Sequence, residues 1–267
     1  MRRAGRGITG VLRRAVVFLA LPLVLLAAWF VLSDGSTDPL APSLRSILEA
    51  FGDTWLDGDR LVSDVVPSLL RLTAGYAVAT AAGVSIGVAI GLLPTLRAFV
   101  EPALEFLRAV PPVVLVPVIG IIAGLGSDTS RVAVIAVGCV WPILLNTVEG
   151  VRATDPVLRD TARSYGISGR RRLVHLTLRS ASPQIVTGMR QALSIAIILM
   201  VISEISAASN GLGFTIVQFQ RTFAIDRMWS GVFVLGIVGV LVALGFRLFD
   251  RAVLHWYHRQ RTRHREG

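Results

Sequence analysis

The sequence predicts an all-α, polytopic membrane protein with about six spanning helices, and three observations carry that prediction. The chain of 267 residues is 53% hydrophobic and only 16% charged, with a mean hydropathy of +0.66. Apolar runs without charge reach the length of about 18 residues that a bilayer span requires. The basic residues gather on alternate inter-run segments, as they do when Arg and Lys are retained on the cytoplasmic side.

The uncharged apolar runs lie at 15–33, 72–93, 109–126, 132–148, 191–203 (continuing past Glu204) and 228–246. Six spans follow, or five if two of the Pro- and Gly-broken segments form a re-entrant hairpin. The first run follows a basic stretch resembling a signal-peptide start, but it is longer than the usual apolar region of such a peptide. It is therefore expected to be a retained span. With the N-terminus inside, the cytoplasmic segments 1–14, 94–108, 149–190 and 247–267 hold 21 of the 27 arginines. Both termini are thus expected in the cytoplasm, with Trp256 and Tyr257 as an interfacial anchor beside the basic tail.

The domain plan that results is a cytoplasmic basic segment at 1–14, a first span at 15–33, an extracytoplasmic segment at 34–63, a core of five further spans at 64–250 and a basic cytoplasmic tail at 251–267. In the extracytoplasmic segment, Leu44, Ile47, Leu48, Phe51, Trp55 and Leu56 recur at helical spacing, which predicts an amphipathic helix lying on the outer membrane surface. In the second span Gly75, Gly83, Gly87 and Gly91 stand at four- and eight-residue intervals, a small-residue stripe that reads as close helix packing.

All 27 basic residues are arginine. Without lysine the chain has no Walker A loop and no Schiff-base lysine. The single cysteine, Cys139, lies in an apolar run, so no intramolecular disulfide forms. His175, His255, His258 and His264 lack ligand-like spacing, which argues against a metal enzyme. No nucleic-acid module is present.

The loop between the fourth and fifth runs has its own helix punctuation. Asp155 followed by Pro156 is a favoured N-cap and first-turn pair, and Gly166 supplies a left-handed stop. Between them Leu158, Thr161, Ala162 and Tyr165 share one face, shaped to enter a groove. A second short helix is expected from Ser168, with Ser182 and Pro183 opening the fifth span. An amphipathic loop held by anionic headgroups is the alternative reading.

Two charged residues stand where charge is costly. Glu204 lies 14 positions beyond Arg190, about 21 Å along a helix, and such a residue either faces a cavity or gate or caps the following turn. Arg71 either pairs with an acid such as Asp64 or draws an anionic substrate to the outer mouth. Pro111, Pro112 and Pro117 interrupt the third run, as a plain kink or as the edge of a transport pathway.

The loop resembles the EAA loop of bacterial ABC-importer membrane subunits. Its triplet positions hold Asp160, Thr161 and Ala162, its glycine is Gly166, its later apolar pair is Leu176 and Leu178, and Arg179 replaces the usual proline. Residues 68–92, with a Ser-Leu-x-Arg start and a glycine ladder, resemble the permeases of the nitrate, sulfonate and taurine group. So do 107–126, with Arg-x-x-Pro, and 202–214, with a Glu and Gly-Leu-Gly.

This resemblance spans about 40–258 and implies the type I importer architecture (MetI-like) in a bacterial plasma membrane. It implies two permease copies, expected to be a homodimer, two cytoplasmic ATPase subunits carrying ATP and Mg, and an extracytoplasmic solute-binding protein. The chain itself would bind no cofactor. The ATPase would receive Leu158, Asp160, Thr161, Ala162, Tyr165, Gly166 and Leu178, while Glu204, Arg71, Pro111 and Pro117 are pathway or gate candidates. An ion-gradient-driven transporter or channel is the alternative, weakened because Glu204 is the one acid inside a run and no internal repeat is evident.

Overall fold

A computed structural model of the chain describes residues 20–21, 23–33, 40–207 and 209–257. The segments 1–14 and 15–19 of the expected plan, and most of the tail, lie outside them. All regular secondary structure among the described residues is helical, and the chain falls into two compact units, 1–60 with 216–233 and 61–215 with 234–267.

In the larger unit a wide turn at Leu61–Val65 leads into α3, Val66–Leu92. (The helices α1, Leu23–Ser33, and α2, Leu44–Phe51, precede it in the chain.) Then come α4, Pro94–Ala109, and α5, Val116–Ala123, joined through a 3₁₀ turn at Pro112–Leu115. The bundle continues with α6, Asp128–Arg152, the loop helix α7, Pro156–Ser164, and a short α8, Gly169–Arg172. A wide turn at Leu173–Leu178 joins α8 to α9, Arg179–Ala207. The helices α10, Leu212–Arg221, and α11, Ile225–Val253, each pass from one unit into the other.

The glycine stripe is what brings α3 against α6. A Cβ added at Gly75, Gly83, Gly87 or Gly91 would lie 2.7–2.9 Å from the Cβ of Ile135, Ile143, Thr147 or Val151 respectively. Every pair is offset by the same 60 positions, so the two helices run parallel and in register, with four-residue rows meeting as knobs against flat ground. Helix α9 packs antiparallel on α6. Gly188 sits against Pro142 and Asn146, and Gly150 against Ala181 and Gln184. The Cys139 thiol meets the Ala192 carbonyl at 3.3 Å, and the Tyr76 hydroxyl donates to the Met189 carbonyl at 2.8 Å.

Four described helical stretches are long and apolar enough to cross a bilayer: Leu61–Leu92, Asp128–Arg152, Gly169–Ser206 and Ile225–Val253. The expected third span at 109–126 is not one rod. Pro111 and Pro112 remove two backbone donors, and the segments Pro94–Leu107 and Pro112–Ala123 meet at 86°, a broken span or re-entrant pair that gives a fifth.

The expected break at Ser182–Pro183 is absent, because both residues lie inside α9. A helical proline leaves the carbonyl four residues back without its donor. Here the Ser182 hydroxyl supplies that donor to the Arg179 carbonyl at 2.9 Å, and the helix runs on. Near the same end Arg190 pairs with Asp250, and the Arg179 guanidinium lies 5.2 Å over the Trp256 ring.

In the smaller unit α2 starts at an N-cap, Ser43, whose hydroxyl accepts the Ser46 N–H. The apolar positions expected on one face are divided between protein interior and surface. Ile47 and Trp55 are wholly enclosed by protein, and the Trp55 indole donates to the Ser230 hydroxyl at 3.0 Å. A five-residue wide turn at Gly52–Leu56 shifts the helical phase after α2; Leu56 within it is exposed at 66%, and Leu48 on α2 itself at 56%. Elsewhere in this unit Trp29 of α1 stacks on Phe233 and meets Trp229 edge-on.

Candidate functional site

Helix α7 bridges two long helices: α6 ends at Arg152 just before it, and the continuous stretch that becomes α9 begins at Gly169 just after it. The Asp155 carboxylate accepts the Val157 N–H at 2.8 Å, and Pro156 fills the first turn. At the other end Gly166 has φ +68°. Its N–H donates to the Arg163 carbonyl, and the Ile167 N–H reaches back to that of Ala162 at 2.8 Å. These two bonds form the Schellman closure, so the short helix has a defined start and stop.

Outward from this helix stand Leu158 and Tyr165, 49% and 79% exposed. Val157 and Ile167, which the sequence reading passed over, join them as exposed apolar side chains. Asp160 is exposed too, and Thr161 turns its hydroxyl back to the Val157 carbonyl at 2.7 Å. Ala162 points the other way and is 7% exposed. Leu178 is apart from this face, half-buried in the wide turn before α9. The exposed apolar side chains here are therefore Val157, Leu158, Tyr165 and Ile167, on a rod closed at both ends.

At the opposite end of the bundle the structure joins the two charged candidates to each other. The Arg71 guanidinium donates from Nη1 to Glu204 Oε1 at 2.9 Å and from Nε to Asp128 Oδ1 at 2.7 Å. It also donates from Nη2 to Asn210 Oδ1 at 2.6 Å and from Nη1 to the Asn210 carbonyl at 3.2 Å. Glu204 is fully buried and Arg71 is 5% exposed. Arg131 donates to Asp128 Oδ1 as well, at 2.7 Å, so two guanidinium groups face two carboxylates.

Glu204 also caps the turn that follows it. Its Oε2 accepts the Gly213 N–H at 3.0 Å, and the Ser68 hydroxyl lies 2.7 Å from Oε1. Asp64, the expected partner of Arg71, instead accepts the Gly211 N–H at 3.1 Å. Gly211 has φ +117°, and a Cβ there would fall 2.5 Å from the Glu204 carboxyl, so only glycine fits. The cluster ties α3, α6, α9 and the 209–213 turn together. With four acceptors taken, the Arg71 guanidinium has little left to offer a passing anion.

Beside the cluster, still within the larger unit, α5 and the adjoining ends of α6 and α9 line a partly open cavity of about 320 Å³. Pro117 is in its wall with Val116, Val134 and Ile202, and Ser130, Ser203 and Ser206 supply its polar atoms. Pro111 stands at the start of the 3₁₀ turn leading to it. Neither Asp128 as the second partner of Arg71 nor the three serines was singled out from the sequence. The one local signal was Ser127 before Asp128, an N-cap pattern realised by the Ser130 N–H donating to the Ser127 hydroxyl.

Residues 79–255 match the family of binding-protein-dependent transport system inner membrane components. The chain is 29% identical to the taurine transport system permease protein TauC of Escherichia coli over 92% of this chain and 91% of that protein. It is 27% identical to the putative aliphatic sulfonates transport permease protein SsuC of Bacillus subtilis, over 89% and 86%. It is 32% identical to the bicarbonate transport system permease protein CmpB of Synechococcus elongatus, over 66% and 64%. Among solved structures, the inward-facing MetNI methionine ABC transporter superposes with a TM-score of 0.62 at 19% identity, over 72% of this chain and 95% of that one. An amino acid ABC transporter with histidines gives 0.53 at 16% identity, over 84% and 99%.

Proposed function

The chain belongs to the family of binding-protein-dependent transport system inner membrane components, and from that membership we propose that it works as the membrane half of an ATP-driven importer for a small solute of the nitrate, sulfonate or taurine kind. It is a multi-pass ABC importer permease. On this reading two copies stand in a bacterial plasma membrane with both termini inside. A solute-binding protein delivers cargo from outside, and separate ATPase subunits holding ATP and Mg work from the cytoplasm.

The observation that carries the reading is α7. A nine-residue helix too short to be stable by itself is closed at both ends and presents unpartnered apolar side chains. It is also attached directly to two long helices of the bundle. ATP does work on the permease only if it favours one global state over another. Closure of the ATPase pair around ATP supplies that bias, and a helix docked in each ATPase transmits it to α6 and α9.

The test is uptake into proteoliposomes holding the permease and its ATPase, with binding protein and labelled taurine outside. A bulky residue at Ala162 would collide with the chain itself, since that side chain is buried. The informative variants are Leu158→Asp and Tyr165→Asp, whose parent side chains are exposed. Each should cut ATP-driven uptake tenfold or more while the permease still folds and inserts. Undiminished uptake in the double variant, or wild-type uptake at full rate with the ATPase omitted, would overturn the reading; the second result would favour a gradient-driven transporter.

A further inference from the structure

We propose that the cavity between α5, α6 and α9 is a transit site for a solute with an aliphatic body, and that it discriminates against compact inorganic oxyanions. The inference rests on the transport reading above and adds to it a place and a chemistry. Three observations carry it.

The first is size. About 320 Å³ of space corresponds to roughly ten waters at about 30 Å³ each, far more than a compact oxyanion such as sulfate needs.

The second is the wall. Val116, Pro117, Val134 and Ile202 are apolar, and among the described residues that line the cavity none is charged. Each methylene moved from water onto such a surface favours binding roughly fourfold. A compact oxyanion has no methylene to offer and loses its hydration on entry.

The third is the state of the polar atoms. The Ser203 hydroxyl donates to the Met200 carbonyl at 2.9 Å, that of Ser206 to the Ile202 carbonyl at 2.9 Å, and that of Ser130 to the Ser127 carbonyl at 3.1 Å. Their protons are committed, so the cavity is offered lone pairs and not donors. A hydroxyl rotates to serve a polar head group, but only by giving up a helix carbonyl. A solute with an aliphatic body offsets that loss and a bare oxyanion does not. The two nearby guanidinium groups, Arg71 and Arg131, are both engaged by Asp128 and so do not supply the missing positive charge.

The experiment uses the full chain in nanodiscs with its ATPase and three probes: 1-butanesulfonate, 1-butanol and sulfate. Binding is read by saturation-transfer NMR for the two organic probes and by competition for sulfate. Butanesulfonate and butanol should bind, sulfate should fail to compete, and Val134→Phe should weaken butanesulfonate at least tenfold. Ser206→Leu narrows the same space from a more accessible position and serves if Val134→Phe does not fold. In proteoliposomes a folded filler variant should lose uptake while ATP hydrolysis continues.

Competition by sulfate as strong as by butanesulfonate overturns the proposal, as does unchanged butanesulfonate binding in both variants. Loss of the transport reading is a separate outcome, seen as wild-type uptake that ignores ATP whatever the probes do.

Discussion

Glu204→Ala should be among the most destabilising single changes available to this chain, and the size of the effect can be worked from its neighbours. The carboxylate receives the Arg71 Nη1–H, the Gly213 N–H and the Ser68 hydroxyl, at 2.9, 3.0 and 2.7 Å. Removing it leaves the Gly213 N–H buried without an acceptor, a loss of about 1–3 kcal/mol. Breaking a buried ion pair from one side costs about 3–5 kcal/mol, here toward the lower end because Asp128 still holds Arg71 at 2.7 Å. The Ser68 hydroxyl loses nothing, since the Asp64 carbonyl stands 2.9 Å away as an alternative acceptor. With both terms at the lower end of their ranges, a total of about 4 kcal/mol is expected. At about 2–4 °C per kcal/mol for a chain of this size, the unfolding midpoint should drop by about 8–16 °C.

Glu204→Gln should recover only part of this. Both carboxylate oxygens face donors, Oε1 toward Arg71 and Oε2 toward Gly213. An amide presents one oxygen and one NH₂, so one side must meet donor with donor. The chain reports its own unfolding, because Cys139 is the single thiol and is fully buried. A thiol-reactive fluorogenic dye therefore follows the melt directly. Arg71→Met with Glu204→Met should be less destabilising than the sum of the two single changes by about 2 kcal/mol, the coupling expected of contacting charges. A Glu204→Ala midpoint within 2 °C of wild type, or strict additivity in the double variant, would refute the view that these residues clamp the helix ends.

Gly87→Ala should cost about 1–3 kcal/mol by overpacking, since the new Cβ would lie 2.7 Å from the Thr147 Cβ and 2.8 Å from the Leu144 carbonyl oxygen. Gly236→Ala, where nothing stands within 4 Å, should be neutral or stabilising by up to about 1 kcal/mol; the same dye melt ranks the two. Gly166→Ala meets no neighbour either, yet its φ of +68° costs an alanine about 1–2 kcal/mol. Hydrogen exchange across residues 156–167 should therefore speed up about 5- to 30-fold while the global melt stays put, and unchanged exchange would mean that the closure does not hold α7.

What was legible in the sequence is what a few neighbouring residues decide among themselves. Asp155, Pro156 and Gly166 close α7 through bonds spanning five residues or fewer, so their spacing was enough. The glycine stripe was legible as a flat face, though its register against Ile135, Ile143, Thr147 and Val151 was not. Three features escaped because a second group decides them. The proline at 183 reads as a helix start until the Ser182 hydroxyl is seen on the Arg179 carbonyl. The face of α2 reads as regular until the wide turn at Gly52–Leu56 displaces Trp55. The partners of Arg71 stand 57 and 133 positions away, beyond any local pattern, and the nearer Asp64 turned out to serve the Gly211 N–H.

The placement of these features bears on how a push at α7 would travel. The α7 end of the bundle and the Arg71 cluster lie at opposite ends of α6, which at 25 residues and 1.5 Å per residue is about 37 Å long. A force delivered at one end displaces the other only if the helices do not slide past one another. Sliding of α3 along α6 is opposed at every step of the stripe, because a shift out of register sets branched side chains against branched side chains where glycine now gives room. Close-packed interfaces of this kind change by jumps between packings and not by gradual creep. The charge cluster closes the far end by tying α3, α6 and α9 through Arg71, Asp128 and Glu204. The three helices are thus restrained at both ends and along their length. The interruptions between Pro94 and Gly126 fall outside that block, in a segment where prolines have already removed the hydrogen bonds that would stiffen it. Compliance and rigidity are therefore assigned to different stretches, and the cavity lies where the two meet.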